Sequence, residues 1–127
     1  SYPGRFKQPC PFQADVAVGI DSVMQRKLDA LVDMESQFVE GGALGSADLV
    51  AGGEEQRQKR RREVREAFEA RDRKTAETYA AELEQWYGKR ATPIEYAEAF
   101  EICEYGHQPT PEELRTLFPF FPEAKAP

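Results

Sequence analysis

Thirty-four consecutive residues, Glu54 to Tyr87, contain neither glycine nor proline. Nothing in such a window interrupts the repeating hydrogen bonds of an α-helix, so a long helix over about 54–87 is its expected fold. Glu54 and Glu55 open it, where carboxylates complement the positive end of the helix dipole. Gly88, followed by Lys89 and Arg90, closes it, because glycine takes the left-handed cap without strain. The two halves differ. Residues 54–63 carry no apolar side chain, so that half should project into solvent or lie on a partner. Val64, Phe68, Thr75, Tyr79, Leu83 and Trp86 then form a stripe by which the second half docks, with a bend expected near Asp72.

The most patterned stretch lies upstream, from Gln13 to Phe38. Asp15 to Val18 is short and β-branched between Pro11 and Gly19, and reads as a strand. Ser22 stands three residues before Gln25, the spacing of a capping box, and opens a helix over about 21–38. Ile20, Met24, Leu28, Leu31 and Phe38 lay an apolar stripe along it, while Gln25, Arg26, Asp29 and Asp33 fall largely off the stripe. Residues 1–12 hold three prolines among aromatics, an irregular lead-in anchored by Tyr2, Phe6 and Phe12. Residues 39–53 are glycine-rich and read as a loop. They follow a helix and match neither phosphate-binding glycine motif, so phosphate binding has no support there.

Downstream of Thr92-Pro93, Ile94 to Tyr105 alternates apolar with charged residues and reads as a second strand, bearing Ile94, Tyr96, Phe100 and Ile102, with an i, i+4 helical reading also open. Thr110-Pro111-Glu112-Glu113 is a strong helix start. Leu114, Leu117 and Phe118 should face inward from the two-turn helix that follows, before an aromatic tail laid over the core. The fold expected is one mainly α unit with one or two short strands.

Charge narrows the function classes. The net charge of −6 disfavours non-specific nucleic-acid binding, and no run approaches a membrane span. Gln56 to Lys74 nevertheless carries nine Lys/Arg against four Asp/Glu, or +5, leaving −11 for the remainder. One reading is an interaction module whose basic helix 56–74 docks on an acidic partner or nucleic acid; the plainer reading is a solvated, ion-paired face. Cys10 and Cys103 read as free thiols of a reducing, cytoplasmic compartment, with a single bridge between them left open. His107, the one histidine, reads as an exposed loop residue. Ser rather than Met at position 1 reads as a processed, trimmed or partial chain. Self-association into a homo-oligomer is left open.

Two stretches carry a resemblance. Asp15 to Phe38, with D-V-x-V-x-I-x-x-V-M-x-x-K-L-x-A-L and a later S-Q-F, resembles the C-terminal part of the PIG-L/LmbE-like deacetylase family. Tyr96 to Phe121, Y-A-E-A-F-E-I-C-E-Y-G-x-Q-P-T-P-E-E-L-R-x-L-F-P-F-F, resembles the end of its bacterial members. Together they cover about two-fifths of the chain. The resemblance implies a Rossmann-like α/β enzyme that hydrolyses N-acetyl groups on glucosamine-type sugars. It also implies zinc held by two His and one Asp, with an Asp of an early A-H-P-D-D-E motif as base. This sequence contains neither that motif nor a second histidine, and Met34 and Gly19 replace residues common in the family. The chain thus resembles a C-terminal segment that walls the substrate pocket and has no metal ligand or catalytic residue of its own, its partner being the N-terminal catalytic half. Among Glu98, Glu101 and Glu104, Glu98 is the residue expected to orient that pocket from behind.

Overall fold

Two short strands come together from the two ends of the chain. β1 (Val16–Gly19) pairs antiparallel with β2 (Ala97–Phe100), in the register Val16–Phe100, Ala17–Ala99, Val18–Glu98 and Gly19–Ala97. The computed structural model describes residues 11–49 and 51–122; Tyr2, Phe6 and Cys10 lie outside them. The described residues are mainly helical around this ribbon. α1 (Met24–Asp33) and α2 (Glu35–Phe38) follow β1, α3 (Gly53–Thr78) and α4 (Ala80–Tyr87) follow the glycine-rich loop, and α5 (Pro111–Leu117) comes after β2.

Cross-strand partners point to the same side, so the ribbon has a large face and a small one. Val16, Val18, Glu98 and Phe100 share the first. Its apolar members join Ile20, Met24, Leu28 and Leu31, along with Trp86, Leu114 and Phe121. Ala17, Gly19, Ala97 and Ala99 share the second, where Ala17 and Ala97 meet Ala76 of α3 and Leu83 of α4. Small side chains on that face let the helices approach closely. At Gly19 a Cβ would stand 2.9 Å from the Ile94 side chain. The outer edge of β1 is closed by two aromatic tips: the Trp86 indole N–H donates to the Asp15 carbonyl at 3.0 Å, and the Gly19 N–H donates to the Tyr87 hydroxyl at 3.1 Å. Capping an edge this way removes a template for unwanted strand pairing.

Several sequence-based expectations shift. The second strand is four residues long, not the whole of 94–105. Side chains end its ladder: the Glu95 N–H donates to Asp21 and the Ile102 N–H to Asp15. The fully buried residues of that strand are Ala97 and Ala99 on the small face, while Tyr96 and Phe100 are half-buried against the main cluster on the large one. Ser22 and Gln25 form no capping box. The chain enters α1 through a 3-10 turn, Asp21–Val23, and the Gln25 side chain instead accepts a bond from Arg65. The expected 21–38 helix breaks at Met34, whose ψ of 61° is not helical.

The long helix breaks at Tyr79 (φ −110°, ψ 34°), not near Asp72. Thr75 and Thr78 hydroxyls bond back to the carbonyls of Arg71 and Lys74, a local habit that bends helices. The first half of α3 does not project freely. Arg57 reaches Glu35 at 2.5 Å and Glu40 at 3.2 Å, and Arg65 reaches Asp29 at 2.6 Å, so α3 lies antiparallel along α1 and α2. Gly41 takes φ 85° in the intervening loop, where a Cβ would sit 2.7 Å from the Gly45 backbone. Phe12 stands edge-on to Tyr79 with ring centroids 6.0 Å apart.

α5 starts as its sequence predicts. The Glu113 N–H donates to the Thr110 hydroxyl at 3.2 Å, and the Thr110 N–H donates to the Glu113 carboxylate at 2.7 Å. Leu114 is buried and Phe118 half-buried, but Leu117 points outward, 67% exposed. Leu114 and Phe118, four apart, share the inner face of this short helix, and Leu117 falls outside it.

Leu28 is 1% exposed at the centre of the larger cluster. Leu28→Ala should therefore destabilise the chain by about 2–5 kcal/mol, read as a lower urea midpoint at unchanged slope.

Candidate functional site

Asp72 is the one carboxylate among the described residues that is fully buried, at 2% exposed. It occupies α3 four residues after Phe68 and four before Ala76, a charged side chain inside an apolar stripe. Burying a carboxylate is costly unless cations and hydrogen bonds compensate it. Two cations do so here. Lys27 of α1 approaches one carboxylate oxygen at 2.6 Å, and the Arg71 Nε donates to the other at 3.0 Å. The Lys27 ammonium also bonds Glu98 of β2. Arg71 lies 4.2 Å over the Phe68 ring, which holds its guanidinium in place.

Lys27, Asp72, Glu98 and Arg71 thus form a neutral junction that ties α1, α3 and β2 together. Both Asp72 oxygens are engaged, so this carboxylate is a clamp with no free lone pair aimed at open space. Glu98, the residue singled out by sequence, sits in this junction. Its side chain is 36% exposed, and it is not among the residues lining the cleft described next.

A cleft of about 810 Å³ lies beside the α3–α4 break. Ala76, Leu83 and Ile94 are among its apolar lining residues, with Arg73, Lys89 and Glu95 among the charged ones. Arg73 donates to Glu95 at 2.6 Å and to the Tyr96 hydroxyl at 2.7 Å, its guanidinium 5.0 Å over the Tyr96 ring. The hydrogen bond from Arg73 holds the Glu95 carboxyl below the usual carboxylate range.

The remaining sequence-picked residues do not converge. Glu101 accepts the Gln13 N–H at 3.1 Å, Glu104 is exposed, and neither joins Glu98. The His107 ring stands 3.0 Å from Glu113 with 74% of its side chain exposed. Cys103 is exposed; the question of its pairing with Cys10 lies outside the described residues. Among the described residues no three His, Cys, Asp or Glu side chains gather as a metal-binding group would. Nor is any described helix long and apolar enough to cross a membrane.

In the basic helix, Arg57, Lys59, Arg60, Arg61, Arg65, Arg71, Arg73 and Lys74 each lie within 4 Å of a carboxylate. Arg57, Arg61, Arg65 and Arg73 pair with carboxylates from outside α3, whereas Lys59, Arg60, Arg71 and Lys74 pair within it. Sequence reasoning missed Lys27 and Asp72 as partners. The available signal was Asp72 itself, a carboxylate at a stripe position that needs a cation brought to it.

Comparison with protein-family models, with curated proteins and with solved structures finds no match.

Two outcomes follow. Lys27→Met, which leaves Asp72 with Arg71 alone, should cost on the order of 2–3 kcal/mol, below the roughly 3–5 kcal/mol of a fully buried pair left without its partner. Glu98→Gln, at the exposed end of the junction, should cost less than about 1 kcal/mol. Chemical denaturation of both variants and of the Lys27/Asp72 double variant separates the terms.

Glu95 supplies a pH test. Its carboxyl is depressed in the folded state, so its contribution is fully present above the unfolded value of about 4.3 and is lost as pH falls through the folded one. Arg73→Ala should return its NMR titration midpoint towards about 4.3.

Proposed function

We propose that this chain is the C-terminal segment of a PIG-L/LmbE-like zinc-dependent deacetylase, and that it walls the pocket in which an N-acetylated, glucosamine-type substrate is hydrolysed. The observation that carries the reading is the pairing of its two family-like stretches. β1 belongs to Asp15–Phe38 and β2 to Tyr96–Phe121, and these stretches meet in the ribbon, with Lys27 of the first bonded to Glu98 of the second. Residues chosen for their likeness to one family thus build a single structural unit. Exposed Val23, Met34 and Tyr105 offer apolar surface against which a catalytic half would pack. In this reading the ribbon and its helices adjoin the Rossmann-like sheet of that half.

The zinc that the reading implies does not fit these residues. Such a site needs two histidines and an aspartate, whereas this sequence holds His107 alone, which faces Glu113. A metal with an open position, and the hydroxide it generates near neutral pH, would belong to the catalytic half. No step of the reaction is assigned to this chain. Glu98 is given a positioning role, through Lys27, in the wall of the pocket.

The test begins with the coding sequence contiguous with Ser1. It should encode A-H-P-D-D-E and a later histidine pair in the same frame. The joined protein should release acetate from N-acetylglucosamine derivatives, lose activity to a chelator and regain it with zinc. Glu98→Gln should then lower turnover with metal content unchanged. An upstream frame lacking both motifs would falsify the reading, as would a zinc-loaded joined protein that releases no acetate. Unchanged turnover in the Glu98 variant would remove its pocket role alone.

A further inference from the structure

The segment after β2 is attached to the rest of the chain in an unusual way. Among the described residues, every hydrogen bond and ion pair made by residues 103–122 stays within that segment. His107 bonds Glu113, Gln108 bonds the Cys103 carbonyl, Thr110 and Glu113 cap α5, and Arg115 donates to the Pro122 carbonyl at 2.6 Å. The last polar ties between this end of the chain and the body are the Ile102 N–H on Asp15 and the Glu101 carboxylate on the Gln13 N–H.

What holds the segment is apolar and aromatic. Leu114 and Phe121 are each 7% exposed, and Phe118 is half-buried on the same cluster. Phe121 stacks on Trp86 with centroids 5.0 Å apart and planes 18° apart, and meets Tyr87 edge-on at 5.1 Å. Arg115 lies 5.3 Å over Trp86 from the other end of the same turn. The connection from β2 is exposed at 103–108 and turns at Gly106, φ 98°. The segment meets the ribbon through Phe118, whose ring lies 5.9 Å from that of Phe100.

We propose that Cys103–Pro122 is a strap that opens as a unit while the ribbon and α1–α4 stay folded. In the closed state Phe121 fills an aromatic socket formed by Trp86 and Tyr87; in the open state that socket is uncovered. Three features support separate opening. A seven-residue helix has little stability away from the surface it packs on. Opening breaks no hydrogen bond or ion pair to the body among the described residues and gives up only the apolar and aromatic contacts of Leu114, Phe118, Phe121 and Arg115, so it can occur below the global unfolding free energy. The hydrogen bonds that fix Trp86 and Tyr87 to β1 run to Asp15 and Gly19, so the socket keeps its shape when the strap leaves. The inference rests on packing alone and stands apart from the deacetylase reading.

Trp86 is the single tryptophan, so its emission reports directly on the socket. The experiment is native-state hydrogen exchange of the 127-residue chain by NMR, with Trp fluorescence alongside, on the wild type, Phe121→Ala and the outward control Phe120→Ser. In the wild type, α5 amides such as Leu114 and Phe118 should exchange faster than the ribbon amides of Val18 and Glu98, with a common denaturant dependence smaller than the ribbon's. Phe121→Ala should raise α5 exchange at least tenfold, shift Trp86 emission to the red and leave ribbon protection unchanged. Phe120→Ser should leave Trp86 emission as in the wild type. Equal exchange and equal denaturant dependence in α5 and the ribbon would overturn the proposal, and so would a uniform loss of protection in Phe121→Ala. If that variant does not fold, the wild-type exchange pattern decides by itself.

Discussion

The fold depends on a buried carboxylate that cannot stand alone. Asp72 lies in the middle of the long helix, on the face that must be covered if α3 is to pack at all. Its charge is tolerable there because Lys27 arrives from α1 and Arg71 folds back along α3, held against Phe68. One ammonium then reaches both Asp72 and Glu98, so the docking of α1, α3 and β2 is settled at a single point. These contacts add direction to the apolar packing of α3 on α1, at some cost in desolvation.

Around that point the ribbon is covered on both faces. A two-stranded sheet has little stability by itself in water. Here its large face enters the main cluster with Met24, Leu28 and Trp86, while its small face takes the helices in close, with Gly19 against Ile94. Trp86 and Tyr87 serve twice, burying their rings in the core and using their polar tips to occupy the outer edge of β1. The same two rings receive Phe121, which joins the C-terminal segment to the main cluster through apolar contacts alone.

The cation-rich half of α3 shows how composition and structure diverge. A run of nine Lys/Arg in nineteen residues suggests a surface awaiting an anion. In the fold most of those charges face Glu35, Glu40, Asp29, Glu63, Asp72, Glu77 and Glu95. Apart from those to buried Asp72, such pairs are individually weak. Three of the cations, Arg57, Arg61 and Arg65, reach Glu35, Glu40 and Asp29 and lay a helix with no apolar residue in its first ten positions along α1 and α2.

Local chemistry was legible in the sequence. The stripe Ile20, Met24, Leu28, Leu31 is the buried face of α1, and Thr110-Pro111-Glu112-Glu113 caps α5 through short-range bonds that depend on four adjacent residues. The β-branched run before Gly19 is a strand because those side chains suit a pleat. Glu98 was picked out as a residue of interest, but its partner was not visible, because Lys27 lies seventy-one positions away and meets it only through the pairing of β1 with β2. The end of the second strand, the break at Tyr79 and the outward turn of Leu117 were likewise decided by tertiary structure. Each follows from which neighbour competes for a backbone group or a patch of apolar surface, and periodicity in one segment carries no information about that competition. The sequence by itself determined where helices form, the apolar face of α1 and the cap of α5, since these arise from residues within two turns of one another. Only the tertiary structure decided the ribbon's register, the polar junction beneath it and the use of the basic helix, since these require charges and strands distant in the chain to meet.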